Sequence, residues 1–238
     1  MIAIIKNILY NRPMREIVLD TETTGLDPTQ GHKMVEIGCV ELENHVPTGR
    51  TFQEYLNPEQ EMSEEVIAVH GITNEFVKDK PKFKEIAQKF LDFIGQDSKL
   101  VIHNAAFDMK FLNTELTNAG FQALSYDRVI DTLMIARQKF PGSRVNLDEL
   151  CKRFKVDASA RTVHGALLDS ELLAEVYLEL IGGREPGLTF GIKKENYSNL
   201  NQQNKVKEFH EPRNFPPTPE ELTAHQEFLK KIPDNLWG

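Results

Sequence analysis

The chain has 238 residues, with 28 Lys and Arg against 36 Asp and Glu for a formal charge of −8, and 40% of its residues are hydrophobic. This is globular composition, which excludes collagen-like, low-complexity and wholly disordered chains. Apolar runs are a few residues long, far short of the roughly 18 that a membrane span needs. The stretch Met1–Tyr10, broken by Lys6, is too short for a signal-peptide core. A soluble cytoplasmic protein is expected, and Cys39 and Cys151 read as small core residues in a reducing compartment. All of the net charge lies before residue 184, where 20 basic residues face 28 acidic ones; 8 face 8 afterwards. If such a chain handles nucleic acid, metal ions or a partner must supply positive charge.

In chain order, Arg15–Thr23 holds the run Ile17, Val18, Leu19, too short for a helix and suited to a strand buried on both faces. Met34–Leu42 and Thr51–Leu56 read as an antiparallel hairpin turning at Pro47, Thr48 and Gly49. Lys82–Ile94 spaces Phe83, Ile86, Ala87, Phe90, Leu91 and Ile94 as one face of a helix. A strand at Leu100–His103 leads into a helix over about Ala105–Ala119 that Gly120 ends. Val129–Asp131 reads as a short strand, and Leu147–Phe154 and Gly165–Ile181 as helices, the last closed by Gly182 and Gly183. Three antiparallel strands followed by helix-linked strands give an α/β fold, a mixed sheet flanked by helices. Arg184–Pro217, rich in Pro, Asn, Gln and Lys, reads as a flexible linker. A short helix follows, with Thr218 and Glu221 as a capping box, Pro219 at its first position and Leu222, Phe228, Leu229 and Ile232 as an apolar stripe.

Asp20 and Glu22 stand two apart at the end of a buried strand, so both carboxylates point to one side, as a metal site requires. The plainer alternative is a strand end and a turn cap. Asp108, one turn into its helix, favours the positive helix N-terminus on its own. His164 and Asp169 are five residues apart, about 140° around a helix, so His164 belongs to the loop or first turn and Asp169 to the helix proper. An imidazole beside a carboxylate metal site suits a general base. Oxygen donors without Cys select Mg²⁺ or Mn²⁺ over zinc, and two such ions about 3.5–4 Å apart stabilise both oxygens of an in-line phosphoryl displacement.

The segments IVLDTETTGL, GHKMVEIG, VHGIT, LVIHNAAFD, LDELC and RTVHGALLDSELLAEVYL, in order over residues 13–183, resemble the DEDDh 3′–5′ exonucleases of the ribonuclease H-like superfamily, in particular the proofreading epsilon subunits of bacterial DNA polymerase III. The resemblance implies that Asp20, Glu22 and Asp169 ligate two divalent cations and that Asp108 completes the site. It also implies that His164 activates the attacking water, and that Glu65, His70, Thr21 and Thr23 contact the terminal nucleotide of a single-stranded DNA 3′ end. On its own, Glu65 also reads as part of a solvated helix face. The expected organisation is an extension at 1–12, an exonuclease domain at 13–183, a linker at 184–217 and a tail at 218–238.

The tail, with Trp237 near its end, is expected to bind the polymerase catalytic (alpha) subunit, the alternative being packing on its own domain. The segment Glu185–Phe190 resembles sliding-clamp peptides, with Leu188 and Phe190 as anchors, although Glu185 stands where those have Gln. Two rivals stand beside this reading: an RNA 3′-end-trimming exoribonuclease, which would use the same five residues but has no need of the tail, and a non-catalytic polymerase subunit, against which the complete set of site residues argues.

Overall fold

The computed structural model describes residues 13–182 and 217–230, which fall in two separate units. The expected extension at 1–12, nearly all of the linker, and Leu188, Phe190, Ile232 and Trp237 lie outside the described residues.

The first unit is built on β1 (Arg15–Thr23), β2 (Met34–Glu43), β3 (Val46–Tyr55), β4 (Lys99–Ile102) and β5 (Val129–Asp131), in the sheet order β3-β2-β1-β4-β5. β1 pairs antiparallel with β2 and parallel with β4, and β4 pairs parallel with β5. The sheet is mixed, as expected. Around it run α1 (Glu64–His70), α2 (Asn74–Val77), α3 (Phe83–Ile94), α4 (Ala105–Asn118), α5 (Thr132–Lys139), α6 (Leu147–Phe154) and α7 (Ala166–Ile181). Alternate residues of β1 serve opposite faces: Ile17 and Leu19 join the core under α3 and α4, whereas Val18 packs with Leu173, Ala174 and Tyr177 of α7. Burial on both faces explains the unbroken apolar run. Cys39 and Cys151 are both buried and unbridged.

The hairpin turn is not where Pro47, Thr48 and Gly49 suggested. The chain reverses at Asn44 and His45, both left-handed (φ 50° and 67°), which joins Glu43 directly to Val46. Two consecutive positive φ values match the right-handed twist of the strands they connect. His45 is held there by Glu16, which accepts its backbone N–H at 3.1 Å. Pro47 is tolerated because β3 is an edge strand. Gly49 (φ 82°) sits where β3 bulges, passing from Thr51 to Pro47 while β2 passes only from Val40 to Leu42.

Gly38 of β2 sets the depth of α7. A Cβ there would stand 2.2 Å from the carbonyl carbon of Ala166, so only glycine lets the first turn of α7 lie against the strand. Ser170 donates to the Gly38 carbonyl at 3.0 Å and secures the contact.

In the second unit, α8 (Pro219–Leu229) has the expected capping box, with Thr218 Oγ1 accepting from the Glu221 N–H at 3.2 Å and Glu221 Oε2 from the Thr218 N–H at 2.8 Å. Leu222 and Phe228 are 48% and 60% exposed, which leaves that part of the apolar stripe uncovered within the helix. Among the described residues no helix is long and apolar enough to cross a membrane.

Candidate active site

The site forms where the C-terminal end of β1 meets the starts of α4 and α7. By the alternation of β1, Asp20 and Glu22 lie on the face that packs α7, as the spacing required. Thr21 points the other way and donates to Asp108 Oδ1 at 2.7 Å. Asp108 is brought there by Asn104, whose left-handed backbone (φ 66°, ψ 52°) turns the chain from β4 into α4 with only His103 and Asn104 between them. Asn adopts that region more readily than most residues, and its N–H donates to Asp131 Oδ1 at 3.2 Å.

His164 lies on the loop before α7 and Asp169 in its first turn, as expected. The His164 backbone N–H donates to the Val69 carbonyl at 3.1 Å, which ties this loop to the end of α1. Glu22, His164 and Asp169 each offer a ligand atom, and the three lie within 4.8 Å of one another. Asp20 and Asp108 stand outside that tight group but within its field. Burial raises the Asp20 carboxyl well above its usual range, and the charges of Asp108, Glu22 and Asp169 raise it further. Burial likewise lifts Glu22 to about 8 and Asp108 to about 7.

Four carboxyls crowded into a desolvated mouth, three of them pushed toward neutrality, are unfavourable until a cation joins them. Because the donors are oxygens and one imidazole, with no thiolate, they fit hard divalent ions.

Arg161 went unassigned in the sequence reading. Its Nε and Nη2 donate to Asp169 Oδ1 and Oδ2 at 2.5 and 2.6 Å, Nη2 lies 2.7 Å from His164 Nδ1, and Nη1 pairs with Asp148 on α6. This fork holds Asp169 below its usual carboxylate range, with the His164 contact, against the opposing effect of burial. His164 Nδ1 is also 3.3 Å from Asp169 Oδ2, and that hydrogen bond raises the imidazole, opposed by burial and by the Arg161 charge. An arginine three residues before the histidine in an acidic chain was the available signal.

Glu36 was missed as well. It is buried directly across from Glu22 on β2, accepting the Ala166 N–H of α7 at 3.0 Å and the Gln53 side chain at 2.7 Å. An acidic residue among the hydrophobics of β2 marked it.

The expected nucleotide contacts are placed unevenly. His70 is buried beside the site, its Nδ1 accepting the Ile72 N–H at 3.0 Å while Nε2 is buried without a partner among the described residues. Burial, then the His164 charge, lowers its pKa. Glu65 is exposed on α1. The hydroxyls of Thr21 and Thr23 are engaged inside the protein, the latter donating to the Gly25 carbonyl at 2.7 Å.

The profile of the RNase_T family, described as "Exonuclease", matches residues 17–177. The chain is 54% identical over 224 residues to the DNA polymerase III subunit epsilon of Rickettsia felis, covering 92% of this chain and 97% of that one. The chain belongs to this exonuclease family. It is 42% identical over 237 residues to the DNA polymerase III subunit epsilon of Escherichia coli K12, covering 94% and 97% of the two chains. Among solved structures, the nuclease domain of 3′hExo, a DEDDh family member bound to rAMP, superposes with a TM-score of 0.62 at 22% identity over 72% of this chain and 93% of that one. Exonuclease X, in complex with 5′ overhanging duplex DNA, gives 0.54 at 24% over 69% and 90%. These two likenesses bear out the ribonuclease H-like fold. The family member described here is a 3′–5′ exonuclease whose chemistry depends on divalent cations.

Proposed function

We propose that this chain removes mispaired 3′-terminal deoxynucleotides as 5′-monophosphates, with Asp20, Glu22 and Asp169 holding two Mg²⁺ or Mn²⁺ ions, Asp108 completing the site and His164 acting as general base. The observation that carries the reading is the convergence of Glu22, His164 and Asp169 within 4.8 Å beside the buried Asp20 and Asp108. Cations held by Asp20, Glu22 and Asp169 would stabilise charge on the attacking and leaving oxygens of the phosphodiester. His164 accepts the proton of the attacking water as the P–O3′ bond breaks, and Asp169 orients the ring. His70, with its unpartnered Nε2, and Glu65 on the neighbouring helix contact the terminal nucleotide.

As a member of the epsilon family the chain proofreads within a polymerase III complex acting on DNA. Bringing a 3′ end to the site means opening terminal base-pair steps, each on the order of 1.4 kcal/mol, and a mismatch lowers that cost. Selection then requires no base reading. The capped α8, with exposed Leu222 and Phe228, supports the reading that residues 218–238, including Leu229, Ile232 and Trp237, dock on the alpha subunit. Leu188 and Phe190 would contact the sliding clamp. An RNA-trimming enzyme and a non-catalytic subunit are not favoured, given relatives that are all epsilon subunits among the most similar. The test is hydrolysis of 5′-labelled DNA and RNA oligonucleotides, paired and mispaired at the 3′ end, with Mg²⁺, Mn²⁺ or EDTA. Fastest loss of mispaired DNA ends, stopped by EDTA, is expected; equal or faster loss of RNA would overturn the assignment.

A further inference from the structure

The acidic charge of the nuclease unit is not spread evenly. From Arg137 to Arg161 the sequence holds seven Lys or Arg against three Asp or Glu, whereas the rest of residues 13–182 holds 11 against 25. These 25 residues pack as one body. Val145, Leu150 and Cys151 form a core with Leu172, Val176 and Leu180 of α7, and Phe140 and Phe154 close it.

The lobe adjoins the site on two sides. On one, the Arg161 fork grips Asp169 and reaches His164, while its Nη1 pairs with Asp148 at the start of α6. Arg144 and Arg153 both bear on the neighbouring Glu149, and Arg153 stacks over Phe140 at 4.3 Å. On the other side, the charge of Arg137 is felt by His103, which precedes the turn into α4 and Asp108. Some cations of the lobe are spent internally: Lys139 donates to the Glu179 and Leu180 carbonyls, and Lys152 pairs with Glu149. Arg137, Arg144 and Arg153 are exposed and have no carboxylate in an ion pair among the described residues.

We propose that this lobe is the track for the phosphate backbone of the DNA strand whose 3′ end enters the site, with Arg137, Arg144 and Arg153 as its cations and the Arg161 fork, spent on Asp169, His164 and Asp148, marking where the track meets the site. The proposal rests on the exonuclease reading. Guanidinium groups suit phosphate because their planar fork donates two parallel hydrogen bonds. A positive strip on an otherwise acidic surface also orients a polyanion, since repulsion elsewhere disfavours wrong approaches.

The test uses the full chain and a fluorescent 12-nucleotide oligothymidylate with 3′-terminal phosphorothioate linkages, its dissociation constant measured across a salt series. Each phosphate contact to a single strand contributes about 0.7 to the slope of log affinity against log salt. The triple variant Arg137→Gln, Arg144→Gln, Arg153→Gln should therefore lower the slope by about 2 and weaken binding at 0.1 M salt by about 10- to 100-fold. Each single variant should lower the slope by about 0.7. A comparison variant outside the lobe, Lys78→Gln, Lys80→Gln, Lys84→Gln, should keep the wild-type slope. An unchanged slope in the lobe variant, or equal losses in both, overturns the track. A separate arm asks whether the wild type hydrolyses the p-nitrophenyl ester of thymidine 5′-monophosphate, which is too small to reach the lobe. Failure there counts against the exonuclease reading, whatever the lobe variants do.

Discussion

Two side chains of the site are tied closely to their neighbours. His164 is half-exposed, with Nδ1 2.7 Å from Arg161 Nη2 and 3.3 Å from Asp169 Oδ2, so the ring is oriented but not enclosed. The proposed role as general base predicts that His164→Ala lowers turnover by about 10² to 10⁴, with metal affinity by calorimetry falling far less than in Asp20→Ala. Equal loss of metal affinity in both variants would make His164 a ligand. Glu36 ties three strands to the first turn of α7, two residues after His164 and three before Asp169. Glu36→Ala leaves the Ala166 N–H and the Gln53 amide without their buried partner, a loss of about 2–4 kcal/mol in urea unfolding. Glu36→Gln keeps an acceptor oxygen for Ala166 and is expected to recover at least half of that. An Ala variant as stable as wild type would mean the contact carries no weight.

The long elements were legible because their periodicity is strong. β1, α3, α6 and α7 fall at or within a residue of where their apolar spacing put them, and the strand period by itself placed Asp20 and Glu22 on one side. α2 and α5 were missed, and α1 entered only as the helix face of Glu65, because four to eight residues give little periodicity; Ser63, Thr73 and Asp131, which cap the three, were the readable marks. Pro47 and Gly49 outweighed Asn44 and His45 as turn signals, since nothing local shows that β3 is an edge strand able to carry a proline and a bulge. Asp108 was read for its helix position, but its place beside Asp20 depends on Thr21, a contact across 87 residues that no local reading reveals. α8 was legible from its cap. At 11 residues it is marginal in isolation, which favours stabilisation by a partner surface. Truncation after Gly183 should leave hydrolysis of single-stranded oligonucleotides within about twofold of wild type and abolish co-purification with the polymerase catalytic subunit; the domain's core lies wholly before that point. A truncated chain that still co-purified would move the docking surface to the nuclease domain.

Across the whole nuclease unit, buried acidic groups fall into two classes with opposite consequences. Glu41 on β2 is nearly buried yet satisfied: it accepts from Arg15 Nε at 2.5 Å, Thr48 Oγ1 at 2.8 Å and Arg50 Nη1 at 3.0 Å. Burial pushes its pKa up, but the hydrogen bonds from Arg15 and Thr48 and the two arginine charges outweigh it and hold the carboxyl below its usual value. A group lowered in the folded state binds fewer protons there than in the unfolded chain. Its stabilisation is complete above the unfolded value of about 4.3 and is lost as pH falls through the folded one. Unfolding free energy measured from pH 6 to 3 should therefore fall less steeply in Glu41→Gln than in wild type, and identical slopes would remove Glu41 from the acid response.

The site carboxyls form the second class, because Asp20, Glu22 and Asp108 are raised by burial with too few cations to balance them. Arg161 compensates Asp169 but makes no hydrogen bond to the other three among the described residues. An ion that binds the folded site and has no equivalent site in the unfolded chain stabilises the fold by mass action, about 2.7 kcal/mol at 100 times its dissociation constant. For a unit of this size that is a rise of roughly 5–10 °C in the unfolding midpoint. Mg²⁺ or Mn²⁺ should produce that rise and EDTA reverse it. In Asp20→Ala the metal-free midpoint should increase, since a desolvated, repelled carboxyl is gone, while the response to metal shrinks. A variant whose metal-free midpoint fell and whose metal response stayed whole would show that Asp20 serves the fold and not the cation.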